Sequence, residues 1–301
     1  MYNEELKKRY ISYKESTVVI DKFYLQTLFS KTEFREEELH KDICCFTTSE
    51  IIDLYKTFNI PVLETLRVIH SQLTVYTRWC LEESLVFDNQ NHFEEIKIEQ
   101  IEKCINKVII QKKIISREDL LHSLNALANP RDKFILLYLF EIGKSKDFQE
   151  MIKVKPSDIK GNTIHFHDGR TAKISDELKL FAELAVMEDY YHTGRRDFPF
   201  IDKGYVIKDL PRAEEEKDDF TKGRRIYITV KRAKSKAALS KWVTPNSLVE
   251  SGKIHMVKMR SKELGMTPEE YIFSSYFSEV EKQYNCKIGK KLFLTKYNEY
   301  L

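Results

Sequence analysis

The spacing of apolar and polar residues predicts helices through the first half of the chain. Thr47 and Glu50 have the spacing of a capping box just ahead of an apolar run, so a helix is expected to begin there. Apolar residues at helical intervals predict two more helices, over about 61–84 and 96–109. Residues 1–46 are polar with scattered aromatic side chains, and we expect an arm with short helices.

The same pattern predicts helices and a small sheet in the second half of the chain. A helix that begins at Pro130 is apolar almost all round after its first turn, so it should lie buried at the centre of a domain. Two strand-like runs, 161–166 and 171–175, flank a turn-forming Asp-Gly pair and predict a hairpin. Residues 225–230 are expected to form a further strand. Other helices should begin near Ser116, Asp176, Pro245 and Pro268.

Length and composition favour a globular protein of two domains without a membrane segment. The chain has 301 residues, of which 42% are hydrophobic, and it contains only nine Gly and seven Pro. It is therefore long enough for two cores and is not of low complexity. No apolar run approaches the roughly 18 residues of a membrane span, and the N-terminus has no hydrophobic signal region. A cytoplasmic location is expected.

The sequence predicts no cofactor and no metal. The five cysteines show no CxxC spacing, so they are expected to be reduced and mainly buried thiols rather than disulfides or zinc ligands. His165 and His167 share one face of a predicted strand, but no Cys or carboxylate lies nearby at metal spacing. We interpret them as part of a hairpin surface, with a metal site as the alternative.

Basic side chains are concentrated toward the C-terminus. From Lys222 to Leu301 there are 17 Lys and Arg against 7 Glu and no Asp, although the net charge of the whole chain is only +3. Residues 222–241 favour a polyanion such as double-stranded DNA, because they hold eight basic side chains and no acidic one. The alternative is a solvated strand and loop that the acidic run at 214–219 neutralises. The candidate phosphate contacts are Lys222, Arg224, Arg225, Lys231, Arg232, Lys234, Lys236 and Lys241, extended by Lys258 and Lys262.

A second candidate surface lies on the helix predicted over 61–84. Four hydrogen-bond donors, and no carboxylate, fall at offsets of 0, 4, 7 and 11 along one face of this helix. They are Arg67, Ser71, Thr74 and Arg78. Such a stripe suits a DNA groove, where arginine reaches bases or phosphates and hydroxyl groups reach phosphates. An ordinary solvated helix face is the alternative.

Several short motifs occur in the order that is typical of one protein family. They include a helix start at Ser116, RDKFILL at 131–137, a hairpin that ends at 170–175, and Thr244-Pro245 ahead of a helix. In this order the chain resembles the tyrosine recombinases, or phage integrases, over roughly residues 47–275. The resemblance implies a mainly α fold with a helical core-binding domain and an α-rich catalytic-like domain that contains a small β-sheet.

The resemblance also gives the expected domain boundaries. An N-terminal arm takes residues 1–46, the core-binding domain takes 47–110, and a linker takes 111–116. The catalytic-like domain takes residues 117–301. Its tail, KKLFLTKYNEYL, is expected either to dock on a neighbouring subunit, as in the recombinases, or to pack on its own domain.

The chain departs from the recombinase pattern where the catalytic residues are expected. In that family two arginines hold the scissile phosphate while a tyrosine attacks it, and the loss of one such donor costs about 3 kcal/mol. Here Asp147 aligns with the first arginine, and the His-x-x-Arg motif becomes Asn246 to Val249. Asn246 cannot donate a proton as imidazole does, and Val249 donates no hydrogen bond. Tyr297 and Tyr300 are interpreted as packing or tail residues rather than nucleophiles.

These losses indicate a recombinase scaffold that binds DNA without cleaving it. Such a chain resembles the MrpR family, the lytic-cycle repressors of SPβ-like prophages. The resemblance implies a sequence-specific repressor that maintains lysogeny by silencing lytic genes in the cytoplasm of a bacterial host. Two alternatives stay open: an active recombinase with divergent catalytic residues, and a basic module that binds an acidic protein or peptide.

Overall fold

The computed structural model describes residues 1–17, 22–86, 89–145, 148–211 and 219–301. These residues belong to two compact units, residues 1–111 and residues 112–301. The two units are described separately below.

The regular structure described in the first unit is helical. Its helices are α1 (Glu4–Thr17), α2 (Lys22–Leu39), α3 (Thr48–Thr57), α4 (Leu63–Glu82), α5 (Ile98–Glu102) and α6 (Lys107–Lys113), which runs past the boundary. Helix α3 begins as predicted, because the Glu50 carboxylate accepts a hydrogen bond from the Thr47 backbone N–H at 2.7 Å. The helix predicted over 96–109 is instead divided into α5 and α6. The Asn106 backbone N–H donates to the Ile60 carbonyl at 3.0 Å rather than continuing the helix.

Aromatic side chains from α1, α2 and α4 meet in the core of the first unit. The ring of Tyr76 lies 4.9 Å from the ring of Tyr10 and 4.9 Å from that of Phe29, and all three side chains are almost wholly buried. Edge-to-face contacts of this kind add to the apolar area that the rings bury. Residues 1–46 are therefore part of this unit, and the expectation of a separate arm is wrong.

A buried ion pair joins α1 to α2. The Lys7 ammonium donates to both carboxylate oxygens of Glu36 at 2.5 Å, and both side chains are fully buried. Glu36 also accepts from the backbone N–H of Ile43 at 2.9 Å, and nearby Asp42 accepts from the Tyr76 hydroxyl at 3.0 Å. Burial raises the pKa of Glu36. A buried pair is tolerated only when its remaining hydrogen-bonding capacity is satisfied, so this network fixes how α1 and α2 pack.

The second unit combines helices with two small antiparallel sheets. Its helices are α7 (Arg117–Leu124), α8 (Pro130–Glu141), α9 (Gln149–Ile152), α10 (Asp176–Met187), α11 (Asp219–Lys236), α12 (Pro245–Glu263), α13 (Pro268–Phe273), α14 (Ser278–Gln283) and α15 (Lys290–Tyr297). One sheet contains β1 (Ile159–Lys160), β2 (Thr163–His165) and β3 (Thr171–Lys173), and the other contains β4 (Tyr190–His192) and β5 (Asp197–Pro199).

Helix α8 lies at the centre of the second unit, as predicted. Its residues from Phe134 to Phe140 are all buried, and it packs against α10 and α12. Gly252 of α12 makes the contact with α8 possible, since a Cβ at this position would lie 1.6 Å from the Phe140 carbonyl oxygen. Thr244 caps the N-terminus of α12, because its hydroxyl oxygen accepts a hydrogen bond from the Ser247 backbone N–H at 3.2 Å.

The predicted hairpin is confirmed. Ile164 of β2 pairs with Ala172 of β3, and both are buried. The turn between the strands uses Gly169 with a φ of +83°, a conformation that glycine adopts without strain. Asp168 accepts a hydrogen bond from the Arg170 backbone N–H at 3.0 Å, which further fixes this turn.

The strand predicted at 225–230 is wrong, because these residues lie within helix α11. Ile226, Val230, Ala233 and Ala237 are buried at intervals of four, three and four residues, which is helical spacing. The run also contains several β-branched residues, which are typical of strands. Packing of this apolar face against α8 and α9 outweighs that local preference.

Candidate nucleic-acid interface

Helix α11 presents a face that combines positive charge with exposed apolar groups. Its exposed residues include Tyr227, Ile228, Lys231, Arg232, Ser235 and Lys236, which together we call the α11 surface. Tyr227 and Ile228 remain 48% and 45% exposed, which is high for such large apolar side chains. Lys231, Arg232 and Lys236 form no ion pair with any residue in the described part of the chain. The α11 surface is therefore positively charged and able to make apolar contacts.

Other basic residues predicted on this segment differ in how available they are. Lys241 is exposed, with its ammonium 5.4 Å from the ring centre of Trp242. Lys234 is half-buried, and its ammonium donates to the carbonyls of Lys241 and Val243 at 2.7 and 3.2 Å. Lys234 therefore links the end of α11 to the following turn, because its ammonium group already donates hydrogen bonds within the fold.

The beginning of α11 is only partly described. Lys222 and Arg224 lie on this helix, and their side chains fall outside the described part of the structure. Arg225 is half-buried, with a nitrogen 4.0 Å from a carboxylate oxygen of Asp209. Part of the acidic run that would neutralise the basic segment, residues 214–218, lies outside the described residues.

Helix α12 carries the two lysines that the sequence adds to this patch. Lys258 and Lys262 are exposed and lie one turn apart. Arg260, between them in sequence, is occupied by Glu263 and Glu279, and its Nη2 lies 2.7 Å from the Glu279 carboxylate. The two lysines are therefore accessible cations of this helix, whereas the charge of Arg260 is compensated.

The stripe predicted on α4 is present, and two of its four side chains make contacts within the first unit. Arg67 and Ser71 are exposed. The Thr74 hydroxyl donates to the His70 carbonyl at 2.8 Å, a bond within the helix. Arg78 donates to the Glu94 carboxylate, with Nη2 at 2.6 Å and Nε at 3.2 Å. The stripe therefore does have a carboxylate beside it, supplied by the turn that precedes α5.

Two of the three positions that align with catalytic residues, Asn246 and Val249, lie in the described structure. Asp147 lies outside the described residues. Asn246 is exposed in the first turn of α12. Val249 is only 7% exposed, and its Cγ1 would lie 3.6 Å from a Cβ placed on Gly143. Val249 is therefore packed against the C-terminal end of α8, as an apolar side chain rather than as a donor.

Tyr297 is buried in a setting that opposes ionisation. It is 3% exposed, and burial together with the neighbouring Glu250 carboxylate raises its pKa. Glu250 is in turn bound by the Lys253 ammonium at 3.0 Å. Burial also raises the pKa of Tyr300. A tyrosine nucleophile is activated by a lowered pKa or by a nearby base; here the pKa of Tyr297 is raised, and the neighbouring Glu250 carboxylate is itself bound to Lys253.

The C-terminal helix packs on its own unit. The rings of Phe293 and Tyr297 lie 5.1 Å apart, and Phe293 lies 6.1 Å from Phe277. Leu292, on the other side of α15, remains 56% exposed. Phe293 and Tyr297 of the tail are therefore buried within the same chain.

The two histidines considered as metal ligands lie on the surface of the second unit. His165 and His167 are exposed on the β2–β3 hairpin. Among the described residues, no group of three or more His, Cys, Asp or Glu side chains is placed to hold a metal ion. Within the same residues, no helix is both long enough and apolar enough to cross a membrane.

The fold is similar to a known architecture. An α-helical unit followed by a helix-rich unit with a small sheet is also the arrangement of the tyrosine recombinases, or integrases. A solved λ integrase dimer bound to a COC′ core site matches 96% of this chain and 76% of that chain, with a TM-score of 0.50 and 14% identity. λ integrase residues 75–356 bound to DNA match 95% of this chain and 99% of that chain, with a TM-score of 0.47 and 14% identity.

The sequence then places the chain within one family. The model of the MrpR N-terminal core-binding domain matches residues 1–82, and that of the MrpR C-terminal catalytic domain matches residues 114–300. The chain belongs to the MrpR family. It is also similar to the SPbeta prophage-derived uncharacterized protein YopR of Bacillus subtilis (strain 168), with 23% identity over 97% of this chain and 90% of YopR.

Proposed function

We propose that this chain is a sequence-specific repressor that binds double-stranded DNA and maintains prophage lysogeny by silencing lytic genes in a bacterial cytoplasm. The observation that carries the proposal is the α11 surface, whose Lys231, Arg232 and Lys236 have no ion-pair partner among the described residues. Positive groups of this kind supply affinity for phosphates and make binding depend on salt. The MrpR family assignment and the similarity to a prophage-derived protein support a role in a prophage.

Sequence preference requires contacts with base edges as well as phosphates. A helix fits the major groove of B-DNA, and exposed apolar groups can contact thymine methyls there. Tyr227 and Ile228 lie beside Lys231 and Arg232 on such a helix. We therefore assign base reading first to the α11 surface, with Arg67 and Ser71 of α4 as further candidates.

We also propose that the chain does not cleave DNA. Cleavage needs cationic donors around the scissile phosphate and an activated tyrosine. Asn246 and Val249 supply no cation, and Tyr297 is buried beside the Glu250 carboxylate. Self-association is a further part of the proposal, and the exposed Leu292 is the tail residue available for it.

A mobility-shift titration tests DNA recognition. Purified full-length protein is titrated against tiled host and prophage DNA at about 150 mM salt with excess nonspecific competitor. The expected result is a discrete set of shifted fragments that share one sequence. Uniform weak shifts that competitor abolishes would contradict the repressor proposal and favour a basic module for acidic protein partners.

A nicked-substrate assay tests the absence of cleavage. The protein is incubated with nicked duplexes that contain the shifted sequence, and covalent protein–DNA adducts are sought on denaturing gels. No adduct is expected. An adduct that forms with the wild-type chain and disappears on Tyr297→Phe would show an active recombinase with divergent catalytic residues.

A further inference from the structure

A cleft of about 280 Å³ lies beside α11 in the second unit. Its walls come from α8, from the end of α9, from the segment 203–210 and from α11, including Ile228 and Arg232 of the α11 surface. The volume lies just below the lower end of the range, about 300 to 1,000 Å³, that is typical of small-molecule sites. The cleft therefore has room for a small ligand.

The cleft is lined by more positive than negative side chains. Six basic residues line it, and Asp209 is the one carboxylate among the described lining residues. The basic residues are Arg131, Lys153, Lys203, Lys208, Arg225 and Arg232. Asp209 is shared, with the Lys203 ammonium at 3.2 Å and Arg225 at 4.0 Å. Lys208 also lies 3.6 Å from a carboxylate oxygen of Asp189 and 3.9 Å from one of Asp202, and Arg131 pairs with Asp132. Arg232 has no ion-pair partner among the described residues, and the charge that it adds favours an anionic occupant.

Arg131 is a buried donor whose hydrogen-bonding capacity is incompletely used. It is 7% exposed, and its guanidinium lies over the rings of Tyr191 and Phe200 at 4.8 and 5.4 Å. Its Nη1 donates to the Lys208 carbonyl and its Nη2 to Asp132, each at the long distance of 3.3 Å. Its Nε has no hydrogen-bond partner among the described residues. A buried unpaired donor costs free energy unless a ligand or water satisfies it.

The rest of the lining is apolar. It consists of Ile135, Ile152, Tyr205, Ile207, Leu210, Ile226 and Ile228, with Thr229. Apolar walls combined with a few convergent charged groups are typical of sites for small molecules, whereas a seat for an inorganic ion needs no such walls. The chemistry of the cleft thus fits an oxyanion carried on an apolar body.

We propose that this cleft binds a small anionic ligand, a phosphate or carboxylate on an apolar or aromatic group, and that the ligand competes with DNA. Arg225 and Arg232 lie on α11 and also line the cleft. A ligand that engages these guanidiniums withdraws them from DNA phosphates, so occupancy weakens DNA binding. This second step rests on the proposed DNA-binding function, whereas ligand binding itself does not.

Titration calorimetry on the DNA-free full-length protein tests the cleft directly. Phenyl phosphate, benzoate, inorganic phosphate and phenol are compared at fixed pH and ionic strength. The expected result is that phenyl phosphate or benzoate binds more tightly than inorganic phosphate and phenol do, and the tighter of the two identifies the oxyanion. No binding of either aromatic anion, or affinity no greater than that for inorganic phosphate, would overturn the proposal.

Substitutions locate the binding to the cleft. Arg225→Gln and Arg232→Gln are each expected to weaken binding of the aromatic anion roughly tenfold, as expected for the loss of one charged hydrogen bond. Ile135→Val should lower the preference for the aromatic anion over inorganic phosphate. Lys258→Gln removes an exposed cation of α12 outside the cleft and serves as the matched control. Equal weakening in all these variants would place the ligand elsewhere and overturn the proposal.

A DNA competition experiment tests the coupling. The shifted DNA fragment is titrated in the presence and absence of the bound aromatic anion at constant ionic strength. The expected result is weaker DNA binding, with reciprocal weakening of the anion by DNA. If the anion binds and no DNA fragment is specifically shifted, the proposed repressor function is wrong and the proposed ligand site is retained. A DNA shift that the bound anion leaves unchanged would overturn the proposed competition.

Discussion

The α4 stripe and the α11 surface look alike in sequence and differ in the folded protein. Both offer arginine and hydroxyl groups at helical spacing. On α4, Arg78 is bound by Glu94 and the Thr74 hydroxyl is bound within the helix. On α11, Lys231 and Arg232 are exposed and have no ion-pair partner in the described part of the chain. The charge available on a helix face is thus decided by residues that the helix itself does not contain.

The same comparison explains why exposure alone does not identify a contact. Arg78 has a side chain 58% exposed, yet its guanidinium already has an acceptor. An exposed ion pair is weak and is screened by salt, but it lowers the charge that the face presents to a polyanion. DNA binding should therefore depend more strongly on α11 than on α4. The following predictions test that difference.

Removal of Lys231 and Arg232, two cations of α11 without an ion-pair partner among the described residues, should have the largest effect. Lys231→Gln combined with Arg232→Gln is expected to weaken binding to all DNA roughly 10- to 100-fold and to lower the salt slope by about 1.8. The physical reason is the loss of two counterion-releasing contacts. Binding is measured over a salt series, and Lys258→Gln combined with Lys262→Gln on α12 shows whether any two exposed lysines matter equally. An unchanged salt slope would remove α11 from the interface.

Lys234 separates a structural role from a DNA contact on the same helix. Its ammonium donates to two backbone carbonyls after α11. Lys234→Gln is expected to lower the free energy of unfolding by about 1.5–3 kcal/mol, the contribution of a charged hydrogen bond. Urea denaturation measures this loss, with Lys231→Gln as the control that should leave the midpoint unchanged. A lower salt slope without any loss of stability would show that Lys234 contacts DNA instead.

Ile228 tests whether α11 reads sequence as well as charge. Ile228→Ala should relax sequence preference by about 1 kcal/mol, or roughly fivefold, if its apolar contact with a base edge is lost. The ratio of affinities for specific and nonspecific DNA is measured, and the salt slope should stay unchanged. Val68→Ala truncates an apolar residue of α4 that is 52% exposed and is the matched control. Equal effects of the two substitutions on this affinity ratio would show that α11 and α4 do not differ in how they read sequence.

Much of the fold is encoded in local signals. The start of α3 needs only the Thr47–Glu50 pair, the β2–β3 hairpin needs a turn with Asp-Gly, and α8 needs a continuous apolar run. Such signals act over a few residues, so the sequence shows them directly. The packing of residues 1–46 is not encoded in such local signals. It depends on the ion pair between Lys7 and Glu36 and on the ring contact between Tyr10 and Tyr76, which are distant in sequence.

The candidate site was less predictable than the fold. Ile226, Val230 and Ala233, which are buried, have helical spacing along the sequence. The β-branched residues in the same run also favour a strand, so the sequence pattern of α11 is ambiguous. No local pattern indicates that Glu94 reaches Arg78, or that Lys234 reaches the carbonyl of Val243. Those contacts are set by turns whose paths depend on the whole unit. Composition therefore identifies a basic segment, and the structure shows which of its described side chains have hydrogen-bond or ion-pair partners within the fold.

Glu94 gives the smallest but most direct test of the comparison. Glu94→Gln removes the carboxylate that holds Arg78 and leaves a neutral side chain of similar size. If the α4 stripe faces DNA, the freed guanidinium should strengthen binding two- to fivefold and raise the salt slope by up to about 0.9, one added phosphate contact. The double substitution Glu94→Gln with Arg78→Ala is the control and should abolish the gain. Unchanged affinity in Glu94→Gln would show that α4 does not reach the duplex, and base reading would then rest on α11 alone.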